Sequence, residues 1–190
     1  MKVTTCEISG LLILEPKIFT DSRGFFLETF NQTRYREVGL SADFVQDNLL
    51  FSRRGTLRGL HFQNPHSQGK LVQVLQGEVF DVAVDIRRSS PTFGQWHALV
   101  LSEQNKQQFY IPHGFAHGFA VISGAALFHY KCTQFYSPKD ELTVRWNDPH
   151  IGIEWPIKAP LISEKDAKGY ACASSLPNGH FLEGIPNLPL

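Results

Sequence analysis

Cysteine is scarce in this chain. Cys6, Cys132 and Cys172 are three thiols among 190 residues, odd in number and without CxxC spacing, so neither a disulfide framework nor a thiolate metal site is expected. They read as small buried or surface thiols. A surplus of either charge is also missing, since 18 Lys and Arg balance 18 Asp and Glu. No net field draws a polyanion or an anionic lipid surface, and neither nucleic acid nor a membrane is an expected partner. Long apolar runs are absent too: the run at residues 11–14 stops at Glu15, too short for a signal-peptide core or a membrane span. A cytoplasmic protein is expected. No Gly-rich strand-to-helix phosphate loop occurs, so any phosphate has to be held by side chains.

Hydrophobic residues make up 42% of the chain and aromatics 12%, enough for one well-covered core, and residues 1–190 read as a single domain. Short strands dominate. Residues 3–30 are strand-like, punctuated by Gly10, Pro16 and the DSRG turn at 21–24, with 25–30 as one strand. Further strands are expected at 44–51, 57–63, 70–75, 78–86, 95–102, 107–111, 115–122, 125–136 and 142–146. The pair 70–75 and 78–86 reads as a hairpin about Gln76 and Gly77. In 78–86, Phe80, Val82, Val84 and Ile86 alternate with Asp81, Ala83 and Asp85, the pattern of a half-buried sheet. Helical signals are confined to 31–38, with Asn31 at the N-cap and Gly39 beyond the end, and to a capped turn at 163–168 in the Pro- and Gly-rich tail 157–190. So many short strands indicate a sandwich or barrel.

Two stretches concentrate polar chemistry. RGLHFQNPHSQGK at 58–70 and IPHGFAHGF at 111–119 hold four of the eight histidines, and they read as two walls of one pocket. His61 is a candidate base, raised above an ordinary structural histidine by the company of Arg58, Gln63, His66 and Lys70. Arg58 and His61 point to opposite faces of a regular strand, unless Gly59 marks a bulge that re-aims one of them. The spacing of His113 and His117 would suit a metal on a helix, but Pro112, Gly114 and Gly118 argue against a helix there. Tyr130 reads either as a proton donor or as a core aromatic with its hydroxyl at the rim. Asp166 reads as the acidic member of a capping box begun by Ser163, or as the carboxylate that orients a histidine. Gln46, Asn48 and Arg58 are donors suited to a diphosphate.

In combination and in order, these segments resemble the dTDP-4-dehydrorhamnose 3,5-epimerases of deoxysugar biosynthesis, within the cupin superfamily. The segments are DSRGFFLE (21–28), QDN (46–48), GTLRGLHFQ (55–63), GKLVQVLQGEVFDVAVDIR (69–87), PHGFAHGF (112–119), YSPKDE (136–141), WNDP (146–149) and SEKD (163–166). The resemblance implies an all-β, cupin-type jelly-roll barrel with a few short peripheral helices. It implies His61 as general base oriented by Asp166, Lys70 as stabiliser of an enolate, and Tyr130 as acid on the opposite face of the sugar. Arg23, Gln46, Asn48, Arg58 and His117 would bind the diphosphate and sugar, and Glu28, Phe19, Phe26 and Tyr136 the thymidine end. It further implies a homodimer that exchanges N-terminal strands within 1–30, so that Phe19, Arg23, Phe26 and Glu28 serve the neighbouring subunit, with a dTDP-4-keto-6-deoxy sugar as substrate. No cofactor is expected, because a 4-keto group already acidifies carbons 3 and 5.

Rival readings remain. A metal-dependent cupin would carry HxH followed by Glu, whereas Gln63 follows His61 and Lys70 stands where the metal-binding Glu would be. A non-catalytic sugar-nucleotide barrel would have no need of His, Asp, Lys and Tyr together. Relatives that epimerise a single carbon, and ketoisomerases of the same superfamily, differ only in how the acid and the sugar are placed.

Overall fold

Period-2 alternation and closely spaced turn residues make short strands, and the structure, a computed structural model describing residues 1–171, is built of them. In chain order these are β1 (Lys2–Thr5), β2 (Leu12–Glu15), β3 (Ile18–Asp21), β4 (Gly24–Leu27), β5 (Gln46–Arg53), β6 (Leu57–Gln63) and β7 (Lys70–Gln76). They continue as β8 (Glu78–Asp85), β9 (Trp96–Ser102), β10 (Gln108–Ile111), β11 (Phe115–Val121), β12 (Ala125–Cys132) and β13 (Glu141–Thr143). Helix α1 (Gln32–Glu37) lies between β4 and β5, and α2 (Glu164–Ala167) follows β13. Cys172 and the rest of the expected tail lie outside the described residues. Expected strands that end well short of their patterns are 25–30, at Leu27, 125–136, at Cys132, and 142–146, at Thr143. Asn31 caps α1 as expected, its Oδ1 accepting the Arg34 amide at 3.2 Å.

Two antiparallel sheets face each other, in the orders β1-β2-β10-β7-β12-β5 and β13-β6-β11-β8-β9. From β5 to β8 the chain switches sheet at every strand, and it does so again from β10 to β13. That is the jelly-roll arrangement, which forces neighbours in sequence apart and brings distant strands together. The expected hairpin about Gln76 and Gly77 is therefore a corner: β7 pairs with β10 and β12, and β8 with β9 and β11. Gly77, at φ +78°, turns tightly against β12, where an added Cβ would lie 2.0 Å from the Ala125 carbonyl oxygen. A two-residue turn signal cannot tell a hairpin from a change of sheet, because the partner strands are decided elsewhere in the chain.

The core fills the space between the sheets. Val72, Val74, Phe109 and Phe128 come from one wall and Ala83, Phe115, Phe119 and Val121 from the other, and Phe119 stacks on Phe128 with ring centroids 4.3 Å apart. The segment after β13 covers the outside of the second sheet, packing Ile151, Ile153 and Trp155 against Phe80, Val82 and Val84. Strand β8 is accordingly covered on both faces. Its polar face, Asp81, Ala83 and Asp85, is not the solvated side that alternation suggests but the barrel interior, where all three are fully buried. On the outside of the first sheet, Tyr35 of α1 packs with Leu14, Leu40 and Leu71.

Strands β3 and β4 form a separate two-stranded ribbon. It presents Phe19, Phe25 and Phe26 to solvent at 51%, 58% and 67% exposure.

Candidate active site

A bulge sets the first wall. Along β11, His117 pairs with His61 and Phe119 with Arg58, so the four residues 58–61 of β6 are matched to the three residues 117–119 of β11. Residues paired across strands share a face. His117 and Phe119 are two apart and both face inward, so His61 and Arg58 both face inward as well. Gly59 takes up the extra residue at φ +129°, which answers the difficulty posed by their odd spacing.

His61 Nε2 meets Asp166 Oδ1 at 2.5 Å, with the imidazole 26% and the carboxylate 4% exposed. Asp166 is carried by α2, whose N-cap Ser163 accepts the Asp166 amide at 3.1 Å. Burial alone would raise the Asp166 pKa, but the bond and charge of His61, with Ser163 and Lys165, hold it below the ordinary carboxylate range. Deeper on the same wall, His117 Nε2 lies 3.0 and 3.1 Å from the two oxygens of Asp81. Burial lowers the His117 pKa, Asp81 pulls it up, Lys70 and His61 press it down, and the balance is downward.

The facing wall is read from pairing on the first sheet. Lys70, Cys132 and Gln46 lie in one row across β7, β12 and β5, and Val72, Tyr130 and Asn48 in the next inward-facing row. Burial lowers the Lys70 pKa against the nearby charges of Cys132, Glu141 and Asp81. Burial pushes the Tyr130 phenol up to about 12, Cys132 and Glu141 adding to the rise and Arg58 opposing it. At neutral pH the phenol carries its proton. Asn48 Nδ2 points to Cys132 Sγ at 3.7 Å, Gln46 Nε2 donates to Asn48 Oδ1 at 3.0 Å, and the Tyr136 amide donates to Gln46 Oε1 at 2.8 Å. Arg58 Nε donates to Ser52 Oγ at 3.0 Å.

The structure thus gathers His61, Asp166, Lys70, Tyr130, Gln46, Asn48, Arg58, His117 and Tyr136 about one barrel interior. It does not bring Phe19, Arg23, Phe26 or Glu28 there within one chain. Arg23 pairs with Asp21 at 2.7 Å, Glu28 with Arg34 at 2.8 Å, and Phe19 with Phe26 at 6.3 Å between centroids. His61 and Lys70 are on opposite sheets, whereas His61 and His117, from the two stretches expected to be two walls, pair on one sheet and share a wall. Two acidic residues escape the sequence reading. Asp81 was legible only as part of an alternating face, although an acid in a strand covered on both sides is itself a signal. Glu141 lies within YSPKDE, but its part becomes visible only when β13 pairs with β6. Among the described residues, no three His, Cys, Asp or Glu side chains gather as a bound metal ion would require.

Asp85, on the same strand as Asp81, shows what acid does to this interior. Its carboxylate accepts Arg87 Nη2 at 2.7 Å, Ser90 Oγ at 2.6 Å and Thr92 Oγ1 at 2.7 Å. Burial would raise its pKa, but these partners hold it below the ordinary value. A depressed folded-state pKa contributes stability above the unfolded value of about 3.9, lost as pH falls through the folded value. The difference in unfolding free energy between wild type and Asp85→Asn, from urea melts, is expected to be constant above about pH 5 and to shrink below about pH 4. A difference independent of pH would mean that the carboxylate titrates alike in both states.

The fold and the site define a class: a cupin-type jelly-roll barrel whose interior carries a His–Asp pair and a lysine-tyrosine wall suited to acid–base chemistry. The sequence model of the family described as dTDP-4-dehydrorhamnose 3,5-epimerase matches residues 5–173. The chain is 56% identical over 171 residues to the dTDP-4-dehydrorhamnose 3,5-epimerase of Shigella flexneri, covering 89% of this chain and 94% of that one. It superposes with a TM-score of 0.88 and 52% identity on the dTDP-6-deoxy-D-glucose-3,5-epimerase of Legionella pneumophila in complex with dTDP-4-keto-L-rhamnose, covering 90% and 92% of the two chains. A 3′-monoepimerase of Streptomyces bikiniensis bound to dTDP-quinovose is more distant, at 33% identity and a TM-score of 0.83 over 88% and 86%. The chain belongs to the dTDP-4-dehydrorhamnose 3,5-epimerase family.

Proposed function

We propose that the protein inverts carbons 3 and 5 of dTDP-4-dehydro-6-deoxy-D-glucose to give dTDP-4-dehydro-L-rhamnose. The arrangement of base, cation and acid carries this reading: His61 with Asp166 stands on one sheet, and Lys70 and Tyr130 stand on the sheet facing it. His61 removes the proton beside the ketone, the Lys70 ammonium stabilises the enolate oxygen, and the Tyr130 phenol returns a proton from the other side. The phenol's raised pKa keeps it loaded at neutral pH. The ketone supplies the acidity, so no cofactor and no metal are required. Arg58, Gln46, Asn48 and His117 serve the sugar and diphosphate, and Tyr136 the base.

The protein acts as a homodimer in which the β3–β4 ribbon reaches the partner subunit's pocket with Phe19, Arg23, Phe26 and Glu28. The exposure of the two phenylalanines within a single chain supports this. Residues 1–190 work as one domain. A cytoplasmic site of action fits the sugar-nucleotide substrate; among the described residues no helix is long and apolar enough to cross a membrane.

The test is incubation of chelator-treated protein with this substrate in heavy water, locating deuterium by NMR. Label at carbons 3 and 5 is the expected result. Label at one carbon would make the protein a single-site epimerase. Exchange seen only after a divalent ion is added would overturn the role given to Lys70.

A further inference from the structure

Strand β5 ends its sheet and is paired on one side only, to β12. Gln46 and Asn48, two apart on β5, share its inward face, and the strand contacts that support them come from β12. Cys132 stands opposite Gln46 and Tyr130 opposite Asn48, which leaves Cys132 diagonal to Asn48 and within reach of its side chain. The hydrogen bonds among these residues run in one direction. It is set by the Tyr136 amide, a backbone donor that cannot accept, bonded to Gln46 Oε1 at 2.8 Å. The Gln46 amino group therefore faces Asn48 and donates to its Oδ1 at 3.0 Å. That turns the Asn48 amino group toward Cys132, whose Sγ accepts Nδ2 at 3.7 Å. The sulfur is the acceptor on which the series ends.

Cys132 is a free thiol at 1% exposure, paired across β7 with Lys70. Burial raises its pKa and Asp47 adds to the rise; Lys70 and the bond from Asn48 oppose it, and the balance is upward. At neutral pH the group is an uncharged thiol, poor as a nucleophile or base, and its contribution is the lone pair it offers to Asn48.

We infer that Cys132 is a positioning residue, whose sulfur fixes the Asn48 carboxamide with its second N–H toward the diphosphate and sugar. This rests on the proposed epimerase reading and deepens it. A carboxamide can present a carbonyl edge or an amino edge, and the amino edge is the one that suits phosphate oxygens. Asn48 cannot reverse without losing both bonds, since its amino group would then face that of Gln46. Removing the sulfur takes away one of the two restraints and leaves Nδ2 without this acceptor. The bond runs to Asn48 and not to a proton-transfer group, so its loss is felt in KM rather than in kcat.

The experiment measures kcat and KM for deuterium entry in Cys132→Ser, Cys132→Ala, Cys132→Val, Asn48→Ala, and Asn48→Ala combined with Cys132→Ala, with melting curves to show that each is folded. Serine keeps an acceptor at this position, and Cys132→Ser is expected to hold KM near the wild-type value. Alanine and valine both remove the acceptor, one leaving space and the other filling it. Both are expected to raise KM about three- to tenfold with little change in kcat. The double variant is expected to have the KM of Asn48→Ala, because both changes act on one side chain. A wild-type KM in Cys132→Ala, a KM in Cys132→Ser raised as far as in Cys132→Ala, or losses that multiply in the double variant would overturn the inference. If Cys132→Val does not fold, the serine and alanine variants decide. An inert wild-type protein would instead overturn the epimerase reading, and this inference with it.

Discussion

His61→Ala is expected to slow deuterium entry at both carbons by about 10²- to 10⁴-fold, the usual worth of a positioned general base. The imidazole is partly exposed while its partner Asp166 is buried, so the ring is held from behind and open in front. The imidazole paired across from it, His117, is buried and committed to Asp81 and does not stand in for it. Tyr130→Phe is expected to behave differently. It leaves the base intact, so exchange continues, while inversion slows because the proton from the other face is missing. Loss of exchange and inversion in equal measure would place the phenol in both steps. Exchange at the wild-type rate in His61→Ala would assign the base to another group.

Gly59→Ala carries a large expected effect on stability. An added Cβ would lie 2.5 Å from the Gly118 Cα and 2.9 Å from the His117 carbonyl oxygen, on a backbone at φ +129°. Overpacking against backbone cannot be relieved by a rotamer change, and together with the strain of a side chain at positive φ it is expected to cost on the order of 2–5 kcal/mol. Gly24 is the control, since it has φ +135° and nothing within 4 Å of the added atom. The denaturant midpoint of Gly24→Ala is expected to fall by the smaller, strain-only amount. Equal losses at the two sites would remove the argument from close approach. In Gly59→Ala the surviving folded protein is also expected to lose activity, because the bulge turns both Arg58 and His61 inward.

Much of this was legible in one dimension. Strand patterning, the capped helix at Asn31 and the capped turn at Ser163 follow from local chemistry, and local chemistry is conserved in the fold. The proton-transfer candidates were legible because His61, Lys70, Tyr130 and Asp166 recur in segments that resemble a known family. Strand partners were not. The turn at Gly77 carries a hairpin's residues yet joins two sheets, and the alternation of β8 marks two faces without saying that both are covered. The contacts of Glu141 were invisible for the same reason, since Lys165 and Tyr136 meet it only after β13 has paired with β6.

The sequence by itself determined the class of fold, its short strands and its helix caps. These depend on composition and on intervals of a few residues, which the backbone geometry of a strand or a cap converts directly into structure. Tertiary structure alone decided which wall each group stands on, that Arg58 and His61 share a face, and that Asp81 is buried beneath His117. Those outcomes depend on the register between strands distant in the chain, and a single extra residue at Gly59 is enough to reverse a face.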